Sequence, residues 1–164
     1  MRSIDRIIME IDQEAEITER LLTIIPEDKL SWRPHPKARS LGQLALHIAQ
    51  LQGLVAELAQ PDSSEAPTPP DTEATSLSQI TEAFAESLKK AKDIIGSTAN
   101  DRAIADFAIT VNGEVIMKVP RIDFWRSILL NHYYHHRGQL SAYLRELDIA
   151  LPSIYGPSAD TKPF

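Results

Sequence analysis

Three of the chain's five histidines fall within five consecutive residues of the stretch NHYYHHRGQL, as His132, His135 and His136. His132 and His136 are four residues apart. On a helix, side chains at that spacing stand one above the other with Cβ atoms about 6 Å apart, so two imidazoles can converge on one divalent ion. A third histidine, His47, lies in an apolar stretch, LALHIAQLQGL. Three neutral imidazoles that leave one coordination position open form the catalytic pattern of a metal site, whereas four closed ligands form a structural one. An open site lowers the pKa of a bound thiol or water and makes it a nucleophile at neutral pH.

The spacing of the neighbours assigns these residues to faces. Trp125, Leu129, His132, His136, Leu140, Tyr143 and Leu147 follow one another at steps of 4, 3, 4, 4, 3 and 4. That pattern predicts the core-facing seam of a helix, with two histidines where leucine is expected. Leu44, His47, Leu51, Leu54 and Leu58 repeat it at steps of 3, 4, 3 and 4. A lone histidine on an apolar face is more often a hydrogen-bonded core residue than a ligand. Three of them facing a common core must each satisfy two ring nitrogens, at about 1–3 kcal/mol per unsatisfied group. One cation relieves all three and leaves the other nitrogen of each ring free to donate. The pair on the last helix has the spacing of the HExxH zinc sites but lacks the glutamate that serves them as base. His135, about 100° further round the helix, is assigned to packing or a flanking hydrogen bond. His35, between two prolines, is assigned to a solvent-exposed loop.

Four helices are expected to position these rings. Ile4, Ile7, Ile8, Ile11, Ala15, Thr18, Leu22 and Ile25 predict an amphipathic helix over residues 3–25, stopped by Pro26. The proline-rich piece PEDKLSWRPHPKARS predicts a largely extended loop. Ser40 with Gln43 makes a capping box that opens a second helix over residues 41–59. Residues 61–75 read as a polar surface connection with almost nothing to bury. A third helix is expected from residue 76, with Gly96 as its C-cap. Val111 and Val115 flank Asn112-Gly113, the strongest short hairpin signal, and predict a small two-strand ribbon. The fourth helix is expected over residues 121–147, and no internal repeat is visible. The expected fold is all-α: one domain over residues 1–164, a four-helix bundle with a β-hairpin inserted before the last helix.

Composition narrows the function classes. The 164 residues carry a formal net charge of -6, which argues against general binding to nucleic acid or anionic membranes. There is no cysteine, so disulfides, thiolate zinc sites and a cysteine nucleophile are excluded. No segment approaches the ~20 apolar residues of a spanning helix, and the charged N-terminus does not read as a signal peptide, so a cytoplasmic location is expected.

Two blocks carry a family resemblance. LSWRPHPKARSLGQLALHIAQ contains a W-R-P loop, then R-S-L-G-x-L, then the histidine of the second helix. HYYHHRGQLSAYLRELDIALPSIYG contains H-x-x-H-H-R-G-Q-L, then Y-L-R, a turn and P-x-I-Y-G. Together they cover about a third of the chain and resemble the DinB/YfiT-like superfamily. The resemblance implies an up-down-down-up four-helix bundle that holds a divalent metal on His47, His132 and His136. It also implies a homodimer, and an activity such as conjugation of a low-molecular-weight thiol to an electrophile. Metal-dependent hydrolysis, or no enzymatic activity in a metal-stapled binding module, are the alternatives. The turn after Y-L-R-x-L departs from the pattern, since Asp148 stands where a glycine is usual. Arg33, Asn131, Tyr134, His135, Arg137 and Gln139 are candidates to line or support the site. Imidazole ligands suit zinc, nickel or iron, and the sequence does not choose among them.

Overall fold

The computed structural model describes residues 2–68 and 71–161. Helix α1 (Ser3–Leu22) buries Ile4, Ile7, Ile11, Ala15, Thr18 and Leu22 as one stripe. It ends earlier than the apolar period suggests, with Thr23 capping it through its N–H to the Glu19 carbonyl. Ile25 is still buried, but from the turn beyond the helix. The following loop is less extended than expected, because Glu27–Lys29 forms a 3-10 turn. Its far end folds back on α2 (Leu41–Leu58), where the N–H groups of Leu41 and Gly42 donate to the carbonyls of Trp32 and Leu30, each at 2.8 Å. The capping box is present. The Ser40 hydroxyl accepts from the Gln43 N–H at 3.1 Å, and the Gln43 side chain accepts from the Ser40 N–H at 2.8 Å.

Helix α3 (Leu77–Ser97) starts at the N-cap Ser76. Gly96 lies inside it, and Thr98 is the cap, so Gly96 is not the C-cap its residue type suggested. The helix packs closely on α2 at Gly53, where a Cβ atom would lie 3.1 Å from the Ser87 Cα. The Ser87 hydroxyl uses that close approach to donate to the Gln50 carbonyl at 3.0 Å.

A short helix α4 (Asn100–Ile104) leads into a sheet. Strands β2 (Asp106–Val111) and β3 (Glu114–Pro120) pair antiparallel around Asn112 and Gly113, whose φ values of 52° and 81° are those of a type I′ turn. The ribbon has a third strand. β1 (Ser63–Glu65) lies in the stretch expected to be a plain surface connection and pairs parallel to β2, giving the order β1-β2-β3. Three polar residues carry no hydrophobic alternation. The strand is held by the Glu65 carboxylate, which accepts from the Thr110 hydroxyl at 2.6 Å and from the Asn112 N–H. In the same connection Ala74 is buried.

The last helical rod is continuous but not uniform. Helix α5 (Arg121–Phe124) passes through a π-helical turn (Trp125–Leu130) into α6 (Asn131–Glu146). Arg121 is fully buried at its start. Its guanidinium donates to the carbonyls of Ala59, Arg102 and Pro61 at 2.6, 2.7 and 2.8 Å and so caps the end of α2. Two apolar clusters form the core, one around Leu41, Leu44 and Tyr133 and one around Ile11, Phe107 and Trp125. Val55, Leu88 and Tyr134 pack against both.

At the end of α6, Asp148 adopts φ 59°. Its N–H donates to the Arg145 carbonyl at 3.0 Å, and the Ile149 N–H donates to that of Leu144 at 3.0 Å, which is a Schellman closure. Aspartate bears the left-handed conformation at some cost, and the cost explains why glycine is usual there. Asp148→Gly should raise unfolding free energy by about 0.5 kcal/mol after its larger unfolded-state entropy is deducted, read by urea denaturation.

Candidate metal centre

Helix α2 supplies His47, and α6 supplies His132 and His136 one turn apart. The Nε2 atom of His132 lies 2.8 Å from Nε2 of His136 and 3.5 Å from Nε2 of His47. The ring centroids of His47 and His136 are 4.6 Å apart. One ligand atom from each of the three lies within 4.8 Å of the others, close enough to hold a single ion. Nitrogens bound tetrahedrally at about 2.0–2.1 Å from zinc lie about 3.3 Å apart, so the set would fit one ion once the His132–His136 pair spreads and the widest pair, within 4.8 Å, closes. Among the described residues the group contains three imidazoles and no carboxylate.

The rings do not sit in the middle of the buried faces, as the seams suggested. The deep face of α2 is Leu44, Ala45, Ile48, Ala49, Leu51, Gln52 and Ala56, and that of α6 includes Tyr133, Arg137, Leu140 and Leu144. His47 and His132 are half-buried, on the margin of those faces. Only His136 is buried, at 9% exposure. The consequence shows at Leu54, which shares the α2 seam yet is 46% exposed. Beside His47 and His132 lies a cavity of about 360 Å³, walled by Leu51, Leu54, Val55, Leu58, Pro67 and Thr68, with Glu57 on its border.

Of the supporting candidates, Gln139 meets the site directly. Its Oε1 lies 3.0 Å from Nδ1 of His136 and accepts the proton there, leaving Nε2 of that ring as a lone pair facing the other two. His135 is exposed and stacks edge-on against His136 at 4.8 Å between centroids, outside the group of three. Tyr134 points to α1 and donates to Glu10 at 2.5 Å. Arg137 also turns away, forming a buried ion pair with Glu14 at 2.6 Å and a hydrogen bond to Tyr155. Arg33 is exposed and donates to the Ala38 carbonyl at 3.4 Å, and the exposed Asn131 accepts from Arg126 at 2.9 Å. Neither Arg33 nor Asn131 reaches the imidazoles.

The residue that charge alone did not single out is Arg39, just ahead of the Ser40 cap. Burial lowers the pKa of His47 to about 3, assisted by the positive field of Arg39 and by His136 and His132. Burial likewise lowers His136 to about 4, with Gln139 opposing, and lowers His132, with His135 and Arg39 assisting. All three rings are therefore neutral at pH 7, the protonation state a metal ligand requires.

With the geometry in view, the relatives can be placed. The DinB family profile matches residues 1–162. The chain belongs to the DinB family. It is 24% identical over 165 residues to the protein YrdA of Bacillus subtilis (strain 168), covering 97% of this chain and 92% of that one. Among solved structures it is similar to a DinB-like protein of Bacillus cereus ATCC 10987, with TM-score 0.74 and 21% identity over 94% of this chain and all of that one. A DinB-like protein of Bacillus subtilis, YjoA, matches at TM-score 0.67 and 17% identity over 96% of this chain and 99% of that one. At these identities the DinB-like structures speak for the shared fold.

Two measurements follow. Gln139→Leu keeps all three imidazoles but frees the tautomer of His136, and metal affinity by calorimetry should fall about 10- to 100-fold. In chelator, an unfolded chain takes up protons on these histidines below its ordinary value of 6.5, while the folded chain resists until about 3–4. The unfolded state then binds more protons, so metal-free stability should fall as pH drops from about 6.5 toward 3. In His47→Gln that acid-side slope should be shallower, by denaturation at a series of pH values.

Proposed function

We propose that this DinB-family chain is a single-domain, up-down-down-up four-helix bundle that holds one divalent ion, zinc, nickel or iron, on His47, His132 and His136. We further propose that it works as a metal-dependent enzyme of the thiol S-transferase type, as a homodimer in the cytoplasm. The observation that supports this reading best is the convergence of three neutral imidazoles at the border of a cavity, with no carboxylate in the group. Bound there, a divalent ion supplies a Lewis acid that lowers the pKa of a thiol or water in its open position.

The chain's own residues supply the rest. Gln139 holds the proton on Nδ1 of His136, and Arg39 and burial keep further protons off all three rings. The leucines of the cavity offer an apolar wall on the side of the site where an electrophile would stand. No carboxylate among the described residues stands in the imidazole group to act as a base. A thiol with an ordinary pKa near 8.5 loses its proton to solvent far more readily than water does, and this favours thiol transfer over hydrolysis.

The reading that competes is a non-enzymatic bundle in which the ion staples α2 to α6. Chelation separates the two. A staple contributes folding energy, so its removal should lower the melting temperature sharply, whereas a catalytic ion should leave a folded chain that reloads with other divalent metals. Freshly purified protein should carry about one metal per chain by elemental analysis, and His47→Ala should lose it. The loaded wild type should conjugate a low-molecular-weight thiol to at least one member of an electrophile panel. Full occupancy with no turnover on any thiol would sink the transferase assignment.

A further inference from the structure

The cavity at the centre has a chemical character of its own. Its walls are Leu51, Leu54, Val55, Leu58 and Pro67, and one border is formed by His47 and His132. The carboxylate on its border among the described residues, Glu57, is paired with the Lys90 ammonium at 2.6 Å. Charge on the border is therefore already neutralised, and the imidazoles are held neutral by their surroundings. Thr68 is the remaining polar side chain. Among the described residues nothing in the lining offers a fixed counter-charge to a ligand, and the aliphatic side chains offer only apolar contact. From His47 to Leu58 the α2 backbone rises about 16 Å. The volume of about 360 Å³ falls at the small end of the range for ligand pockets.

Leu54, which keeps the period of a buried seam yet stands 46% exposed, is open on the side of the cavity and of the adjoining surface. Filling the cavity with an apolar group would remove that surface, and those of its neighbours, from water.

We infer that this cavity is the subsite for an uncharged, apolar substituent of the substrate, an alkyl chain or a small ring system. Its reactive end lies at His47 and His132. The inference rests on the metal reading for where the reactive end lies, and on the lining alone for the apolar substituent. A substrate whose far end carries a carboxylate or phosphate is disfavoured, because the border offers Glu57 and its partner already joined.

Straight-chain alkyl hydroxamates from acetohydroxamate to octanohydroxamate test it on zinc-loaded protein by calorimetry. The hydroxamate head takes the metal and the tail explores the cavity. Affinity should rise about fourfold per added methylene until the cavity is full. Leu54→Glu, at a position exposed enough to tolerate the change, should flatten that rise while leaving zinc content and acetohydroxamate binding unchanged. Leu58→Gln gives a second, independent flattening. On metal-free protein, hexanol should shift the methyl NMR signals of Leu51, Leu54, Val55 and Leu58. Acetohydroxamate binding with no chain-length dependence would overturn the apolar subsite and leave the metal reading standing. Methyl shifts with hexanol in a protein that takes up no zinc would do the reverse. A chain-length rise that survives both substitutions, or methyl signals that hexanol leaves unmoved, would also overturn the subsite.

Discussion

The site is governed by the proton requirement of three imidazoles that face one another. A ring nitrogen presents either a proton or a lone pair, so the 2.8 Å contact between His132 and His136 admits one proton between the two atoms. Gln139 fixes part of the answer by accepting from Nδ1 of His136, which leaves a lone pair on the inner nitrogen. Adding protons to resolve the rest is opposed by burial and by Arg39. A cation shared among three lone pairs meets the requirement with no proton at all.

For that to hold, α6 must be fixed in rotation as well as in position. His136 and Arg137 are neighbours in sequence, about 100° apart around the helix, and they serve opposite sides. While His136 faces α2, Arg137 reaches α1 and pairs with Glu14, with the Tyr134 and Tyr155 rings 5.4 and 5.0 Å from its guanidinium carbon. Leaving either member of such a pair alone in the interior costs about 3–5 kcal/mol, so the helix cannot turn its histidines away without a large penalty. Tyr155 also donates to Glu14 at 2.7 Å, and this ties the C-terminal tail into the same lock. At the other end Arg121 anchors the rod to the Ala59 and Pro61 carbonyls just past α2, the helix that carries His47. Both elements of the histidine site are thus held by buried arginines outside it.

The parts of this arrangement that were legible in the sequence are those with a local period or a local cap. The helical repeat located α2, α6 and the three rings, and Ser40 with Gln43 marked where α2 begins. Periodicity reports a stripe on a helix, however, and not what lies opposite it. Leu54 keeps the stripe of α2 and lines a cavity instead of filling a core, while Leu58 packs on the core and lines the same cavity. Glu14 and Arg137 lie 123 residues apart, and no local pattern announces their pairing. Strand β1 is invisible for a related reason: Ser63, Ser64 and Glu65 have no apolar alternation, and their partners come from a hairpin more than forty residues later. Gly96 misled because glycine permits a cap without requiring one, whereas Asp148 accepts the left-handed geometry that its Schellman hydrogen bonds impose.

The margin on which the histidines sit reconciles two demands that pull in opposite directions. An imidazole deep in the core would stay neutral but would have no open side, and any ion there would be closed off from a ligand. On an open surface it would titrate near pH 6.5 and compete with protons for the metal. His47 and His132, half-buried at the edge of two packed helices, have enough protein on one side to be desolvated and a cavity on the other. Arg39 then adds a positive field that disfavours protonation, a cationic charge used to keep three neighbouring bases free. The same field opposes a second positive charge at the site, so any cation bound there would be held by the strength of its coordination bonds. Three nitrogens held in one place by Gln139 and by the helix lock would supply that strength without a carboxylate, and an ion held there would keep more of its charge for polarising a further ligand.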